Sequence, residues 1–453
     1  MKTQAKFDYD YLVQTDKIHS SLYSEPGVFS DEMDRIFHRG WVYVGHVGEV
    51  PNSGDFRLKK IGLQPVIMVR DQSGKVNLLL NRCRHRGSTV CQSERGNTRA
   101  FRCSYHGWTY RLNGDLSGVP YPEGYGDSLR KDEMGLTHVP RVGIYRGFVF
   151  GSMSPAGITL EEHLGRAARE LDLFSGLADA EDIEVTSGVH KYDFKANWKM
   201  AVENSMDGYH PNIVHASFVD ALVEKIKNKP SPEHQVAFNP SSFAADGAGI
   251  TRDLGGGHVM LDYGFRMYDP LNRDPMPTVR AITAAGEEKL AELSRQCGAE
   301  RAADMIREGG THTFIFPNLI LIGLQMRVVQ PVSPTYTEVC LYPTLLKWLT
   351  PEVNAIRLRS HEAFFGSASF GGPDDSEIFE RVQAGIVADL DPWMIISRGM
   401  KREHIDDEGL TISDMTDELT QRAIWKQWKK MMTQEAGAGT TRKRASRTAV
   451  ERA

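Results

Sequence analysis

The chain has 453 residues, more than one ordinary domain holds, and its 40% hydrophobic and 25% charged content is that of a globular protein. A formal net charge of −5 gives no global pull toward nucleic acid or anionic lipid. The most apolar stretch, 314–326, is interrupted by Pro317, Asn318 and Gln325, and residues 1–12 lack an apolar leader core, so neither a membrane span nor a signal peptide is expected.

Residues 1–40 read as a helical lead-in packing with the larger domain, with Ser30-Asp31-Glu32-Met33 as a helix start. Over 41–152 the pattern becomes a small all-β domain. Short β-rich runs at 41–44, 66–69, 76–80 and 148–150 alternate with turns such as Asp71-Gln72-Ser73-Gly74 and Leu112-Asn113-Gly114-Asp115. The second domain spans 153–435 and opens with a helical connector at 155–185. Within it, 281–307 reads as a long helix and 313–342 as two buried strands split at Pro331–Pro334. Residues 377–387 and 417–432 read as helices. Trp425 and Trp428 on the last helix are three apart, hence on one face, and are expected in the core. Residues 436–453 form a flexible basic tail. Gly255-Gly256-Gly257 lacks the strand–turn–helix setting of a dinucleotide site.

Two short ligand pairs lie in the β-rich part: Cys83-Arg84-His85 and Cys103-Ser104-Tyr105-His106. Two thiolates on one iron and two imidazoles on the other make the Rieske type of [2Fe-2S] cluster. Neutral imidazole raises the potential, usually to about −150 to +300 mV, and suits single-electron transfer. Zinc also takes two cysteines and two histidines, but its modules usually pair like with like, whereas each pair here mixes the two. Glycine follows both pairs, at Arg86-Gly87 and Gly107-Trp108, as in two hairpin tips closing on a cluster. Cys91, Cys297 and Cys340 remain, an odd number with no disulfide pattern, and point to a reducing cytoplasm.

A second concentration of ligand chemistry runs from Asn197 to His215. His210 and His215 are five apart, about 140° of rotation on a straight helix, too far round to share an ion. Pro211 breaks the ladder just after His210, and a kink or loop there could bring both rings to one metal. Asp207, three residues before His210, is placed to accept a hydrogen bond from the ring's other N–H. Two histidines and a carboxylate form the facial triad of non-haem Fe(II). Asp374 and Asp375, which open a helix at Ser376-Glu377, are the best candidates for the carboxylate. Helix capping is the structural alternative for them. An electron-transfer cluster and a facial-triad iron in one chain make an oxygenase.

On these motifs the chain resembles the large (α) subunit of Rieske non-haem iron aromatic ring-hydroxylating oxygenases, over roughly residues 20–430. The resemblance implies an α+β fold, an all-β [2Fe-2S] domain beside a catalytic domain with a helix-flanked antiparallel sheet. It implies that Cys83, His85, Cys103 and His106 hold the cluster and that His210, His215 and Asp375, second of the Asp pair, hold mononuclear iron. Asn204 and Phe365 match substrate-pocket positions, with backbone capping and packing as their plainer roles. Family members are trimers, α3 or α3β3 with a small β subunit. Electrons cross between subunits, here from His106 of one chain through Asp207 of the next to His210. A separate reductase, alone or through a ferredoxin, delivers electrons from NAD(P)H, and O2 is the co-substrate. The expected reaction is cis-dihydroxylation of a benzoate-like compound. A monooxygenase that hydroxylates or demethylates is the alternative, and an electron-transfer Rieske protein without catalytic iron the reading from another class. The loop Gly366 to Pro373 departs from the family's usual sequence at the pocket border. Arg327, on the apolar run 319–330, could meet a carboxylate, although a structural salt bridge is the plainer expectation.

Overall fold

The computed structural model describes residues 7–175, 183–228, 249–262 and 311–434, apart from 323–324, 348–349 and 367–368, with a few positions between 288 and 299. The expected helix at 281–307, apart from those few positions, Cys297 and the basic tail lie outside them.

The lead-in is helical but broken. Helices Tyr9–Leu12 and Pro26–Glu32 flank a strand, Lys17–His19, that pairs antiparallel with Trp393–Ile395. The second helix starts at Pro26 rather than at Ser30, because proline's missing N–H costs nothing at the first helical position. It ends on Glu32, whose side chain is fully buried. Glu32 accepts from Lys199 Nζ at 2.6 Å, Trp428 Nε1 at 2.8 Å and Trp198 Nε1 at 3.0 Å. Three donors compensate the buried carboxylate and tie the lead-in to two later helices.

The β-rich part contains a four-stranded antiparallel sheet, ordered Val76–Leu80, Gln64–Arg70, Asp55–Ile61 and Arg95–Asn97, and a three-stranded one, Phe101–Arg102, Thr109–Tyr110 and Leu116–Gly118. Phe56, Ile67, Val69, Leu79, Trp108 and Tyr110 share a core with Cys83 and Cys103. A further three-stranded sheet, Arg141–Tyr145, Phe148–Ser152 and Val42–His46, carries Tyr43, Phe148 and Phe150 onto the second half of the molecule.

That half is built on a nine-stranded antiparallel sheet, ordered His190–Phe194, Tyr336–Pro343, Gln325–Ser333, Leu319–Ile322, Thr311–Ile315, His258–Asp262, Ile250–Gly255, Thr411–Asp414 and His404–Ile405. Residues 313–342 therefore belong to four strands, not two. A turn at 316–318, on the Pro317-Asn318 break in the apolar run, separates the first two strands, and Pro331 is accommodated at a register shift near a strand end. Gly255 to Gly257 form a hairpin tip. Alternation decides the faces. Phe314, Ile320, Ile322 and Val329 pack under helices Trp198–Ser205, Gly371–Gly385 and Leu419–Thr433, with Trp425 and Trp428 1% exposed. Ile315, Leu319, Leu321 and Met326 pack against Tyr43, Phe148, Phe150 and the connector helices Leu160–Leu164 and Ala168–Phe174. Asn318 joins the halves: its Oδ1 accepts from the Tyr43 N–H and its Nδ2 donates to the Tyr43 carbonyl, both at 3.0 Å. No helix among the described residues is long and apolar enough to cross a membrane.

Candidate metal centres

The two Cys/His pairs occupy equivalent turns. Cys83 N–H donates to Ser88 O at 2.8 Å and Gly87 N–H to Cys83 O at 3.0 Å; Cys103 N–H donates to Trp108 O at 2.8 Å and Gly107 N–H to Cys103 O at 2.9 Å. Gly87 and Gly107 have φ of 77° and 69°, a left-handed conformation that closes each turn and strains any other residue. Both cysteines are buried, while the histidines lie at the rim with their Nδ1 atoms 3.1 Å apart. Trp108 stacks on His85 at 5.1 Å and Tyr105 on His106 at 3.8 Å. Tyr110 Oη accepts from Arg84 N–H at 3.1 Å and lies 3.2 Å from Cys83 Sγ, which leaves its own proton for the sulfur. Burial, and then the Cys83 contact, push the Tyr110 pKa up, so it stays a donor. Two buried thiols and two imidazoles at one rim fit the donor set of a Rieske cluster. Trp108 and Tyr110 were missed from sequence: Trp108 stood only as part of the turn after Gly107, and nothing in the spacing singled out Tyr110.

The second group forms where the Trp198–Ser205 helix ends. Asp207 to Tyr209 leave the helix, and a four-residue helix, Pro211–Val214, begins directly after His210 and ends before His215. The break brings the two rings to 5.5 Å between centroids. A ring nitrogen of each and a carboxylate oxygen of Asp375 all lie within 4.8 Å of one another. Both Nε2 atoms converge on Asp375 Oδ1, at 3.6 Å from His210 and 3.3 Å from His215. Each Nδ1 has its own carboxylate: Asp207 Oδ2 at 3.3 Å from His210, and Asp374 Oδ2 at 3.4 Å from His215. The Gly371–Gly385 helix begins before the Asp pair and has no side-chain cap, so capping is not what these aspartates do. Asn204 Nδ2 donates to Asp375 Oδ1 at 3.2 Å.

Burial alone would lower the His210 pKa, but the Asp207 hydrogen bond and charge, with Asp375, outweigh it and raise it. Burial alone would raise Asp375. The His215 hydrogen bond and the charges of His210, His215 and Arg327 hold it below the usual carboxylate range. The carboxylate is thus ionised and matched to a cation. Phe364 packs edge-on against His215 at 4.9 Å and against Phe365 at 4.6 Å. Phe365 lies under Arg327. Arg327 forms no ion pair among the described residues; Nη1 donates instead to Ser205 Oγ at 2.9 Å, so the expected salt bridge is absent.

Residues 40–136 match the family model described as Rieske [2Fe-2S] domain, and 184–433 the model described as ring hydroxylating alpha subunit (catalytic domain). The chain is 34% identical to the 2-halobenzoate 1,2-dioxygenase large subunit of Burkholderia cepacia, over 83% of this chain and 79% of that one. It is also 34% identical to the toluate 1,2-dioxygenase subunit alpha of Pseudomonas putida, over 83% of this chain and 82% of that one. Its fold resembles a crystal structure of naphthalene 1,2-dioxygenase with indole in the active site, with a TM-score of 0.79 and 26% identity, covering 94% of this chain and 95% of that one.

Proposed function

The chain belongs to the ring-hydroxylating oxygenase α subunits, enzymes with a Rieske [2Fe-2S] cluster and a mononuclear iron, and on that premise we propose that it cis-dihydroxylates a benzoate-like aromatic acid. The observation that carries the enzymatic reading is the convergence of His210, His215 and Asp375 in the chain that also holds the cluster loops. The relatives named for halobenzoate and toluate support the substrate class.

In this reading Cys83 and Cys103 hold one cluster iron and His85 and His106 the other, and His210, His215 and Asp375 hold the mononuclear iron. When bound, that iron supplies open positions for O2 and the redox change that activates it. The chain's own residues set the geometry. Asp207 and Asp374 each accept a hydrogen bond from the Nδ1–H of one histidine, which fixes the tautomer and aims Nε2 inward. Asn204 fixes the rotamer of Asp375. Phe364 and Phe365 form an apolar wall that excludes water and receives a ring. Electrons come from NAD(P)H through a reductase, alone or with a ferredoxin. They enter a trimer in which His106 of one subunit faces Asp207 of the next. Asp207, only 26% exposed yet reachable, and His106 at the rim suit that crossing. The naming of relatives as large subunits supports a small partner chain, α3β3 rather than α3. The cysteine usage fits the cytoplasm.

Turnover by the purified holoenzyme with a reductase, 18O2 and a panel of substituted benzoates tests this. Two labelled oxygens in a cis-diol are expected. One labelled oxygen assigns monooxygenation instead, and turnover of neutral arenes alone rejects the acid class.

A further inference from the structure

The helix-covered face of the nine-stranded sheet buries a cation that makes no direct ion pair among the described residues; Asp375, which its charge helps to hold ionised, acts on it only at longer range. Arg327 is 4% exposed, and by alternation it shares that face with Val329 and Gln325. Its Nη1 is held by Ser205 Oγ, but its Nε is buried without a hydrogen-bond partner and no carboxylate pairs with it among the described residues. Gln325, two positions along the strand, is 0% exposed, and neither its Oε1 nor its Nε2 has a hydrogen-bond partner among the described residues. Buried polar atoms are normally satisfied, and a buried charge is normally paired. Here an unpaired guanidinium and an unsatisfied amide stand together on one strand face.

Their position is tied to the iron ligands. Ser205, which Arg327 holds, directly follows Asn204, the residue bonded to Asp375. His312 Nδ1 donates to the Ser205 carbonyl at 3.0 Å, fixing the same helix end from the neighbouring strands. The Arg327 guanidinium lies 5.6 Å from the Phe365 ring centroid, and Phe365 meets Phe364, which packs on His215. A cation and an aromatic face thus adjoin the metal site, and the amide lies two positions along the strand from the cation.

Resting on the aromatic-acid reading above, we propose that Arg327, with Gln325, is the anchor for the substrate's carboxylate. The carboxylate supplies the direct ion-pair partner that Arg327 lacks among the described residues, and accepts from the guanidinium and from Gln325 Nε2. Phe365 receives the face of the ring. Held by its acid group, the ring has one orientation toward the iron, so these two side chains govern which ring carbons react.

The test uses holoenzyme with both metals loaded, benzoate as the acid and benzamide as its neutral isostere. Calorimetric binding is read alongside KM and kcat, with iron and cluster content as the check on folding. Arg327→Gln is expected to weaken benzoate binding and raise its KM roughly 10- to 100-fold, the range for a charged hydrogen bond. Benzamide should change by no more than about twofold, the size of a small uncharged perturbation. Arg327→Lys should recover part of the benzoate affinity, since charge returns without the planar fork. Gln325→Glu keeps Arg327 and its bond to Ser205 but places a carboxylate beside the guanidinium; it is expected to expel benzoate and spare benzamide, and it leaves intact the tie to the ligand helix that Arg327→Gln breaks. Unchanged benzoate affinity in Arg327→Gln and Gln325→Glu overturns the anchor, as does an equal loss for acid and amide. If the wild type binds no benzoate or substituted benzoate, the acid reading itself falls and the anchor falls with it. Acid binding that survives in the variants removes the anchor alone.

Discussion

At the residue scale, the two centres are tuned by neighbours that are not ligands. Tyr110 takes one hydrogen bond from the backbone and has its own proton free for Cys83 Sγ, 3.2 Å away. A donor to a cluster sulfur stabilises the extra negative charge of the reduced state. Tyr110→Phe is therefore expected to lower the cluster midpoint potential with the cluster still assembled, as read by redox titration of its visible absorbance. An unchanged midpoint assigns Tyr110 to packing. Asp207 uses one oxygen to accept from Tyr209 N–H at 2.6 Å and the other to face His210 Nδ1. Asp207→Asn keeps the size but loses the charge. It is expected to retain both metals while turnover falls by roughly 100-fold, the upper end for partners of metal ligands. Metal analysis beside single-turnover kinetics checks this, and normal turnover rejects the electron-bridging role.

At the element scale, the connector helix Ala168–Phe174 shows what packing demands of a charged residue. Glu170 is 7% exposed, and burial pushes its carboxyl from 4.5 to about 7, against the pull of Arg169 and Arg252. A carboxyl whose folded pKa is raised binds more protons folded than unfolded between those values. Its contribution is favourable below about pH 4.5 and lost as pH rises toward 7. Glu170→Gln cannot ionise, so its stability advantage over the wild type should grow between pH 5 and pH 8, by up to about 3 kcal/mol. Paired thermal melts at the two pH values measure it; equal differences at both show that Glu170 does not titrate there. The Trp198–Ser205 helix shows the converse, a stop that serves function. Its end frees Asp207 to His215 from helical spacing, and the five-residue separation becomes compatible with one metal.

At the scale of the whole molecule, the β-rich half and the sheet half share two hydrophobic clusters, and polar contacts buried among them are closely matched. Asn318 satisfies both backbone groups of Tyr43 from inside the interface, with 2% of its surface exposed. Asn318→Ala leaves a buried N–H and a buried C=O unpaired, a loss of about 2–4 kcal/mol. A melting temperature lowered by several degrees in circular dichroism is the expected result, and an unchanged one means that water replaces the amide. The lead-in is held the same way: the Glu32 carboxylate binds Lys199, Trp198 and Trp428, so residues far apart in sequence meet at one buried charge.

What the sequence determined by itself was the local chemistry. Cys83 with His85 and Cys103 with His106 are within three residues of each other, and glycine marks each turn, so spacing alone encodes the cluster loops. The pairing of His210 and His215 was legible because Pro211 announces the break that their separation requires. The family and its two-part α+β fold followed from these motifs. The rest depended on packing. Asp374 and Asp375 are adjacent in sequence, and only the seat of their helix sends Asp375 to both Nε2 atoms and Asp374 to His215 Nδ1. Within 313–342 the strand Leu319–Ile322 was hidden because it is buried on both faces and carries no alternation to mark its ends, while the Pro317-Asn318 break before it went unread as a turn. Arg327 shows no more in sequence than a charge on an apolar run. That it is buried, unpaired and next to Phe365 is a long-range fact, decided when the sheet, the ligand helix and the Pro351–Phe365 helix close on one another.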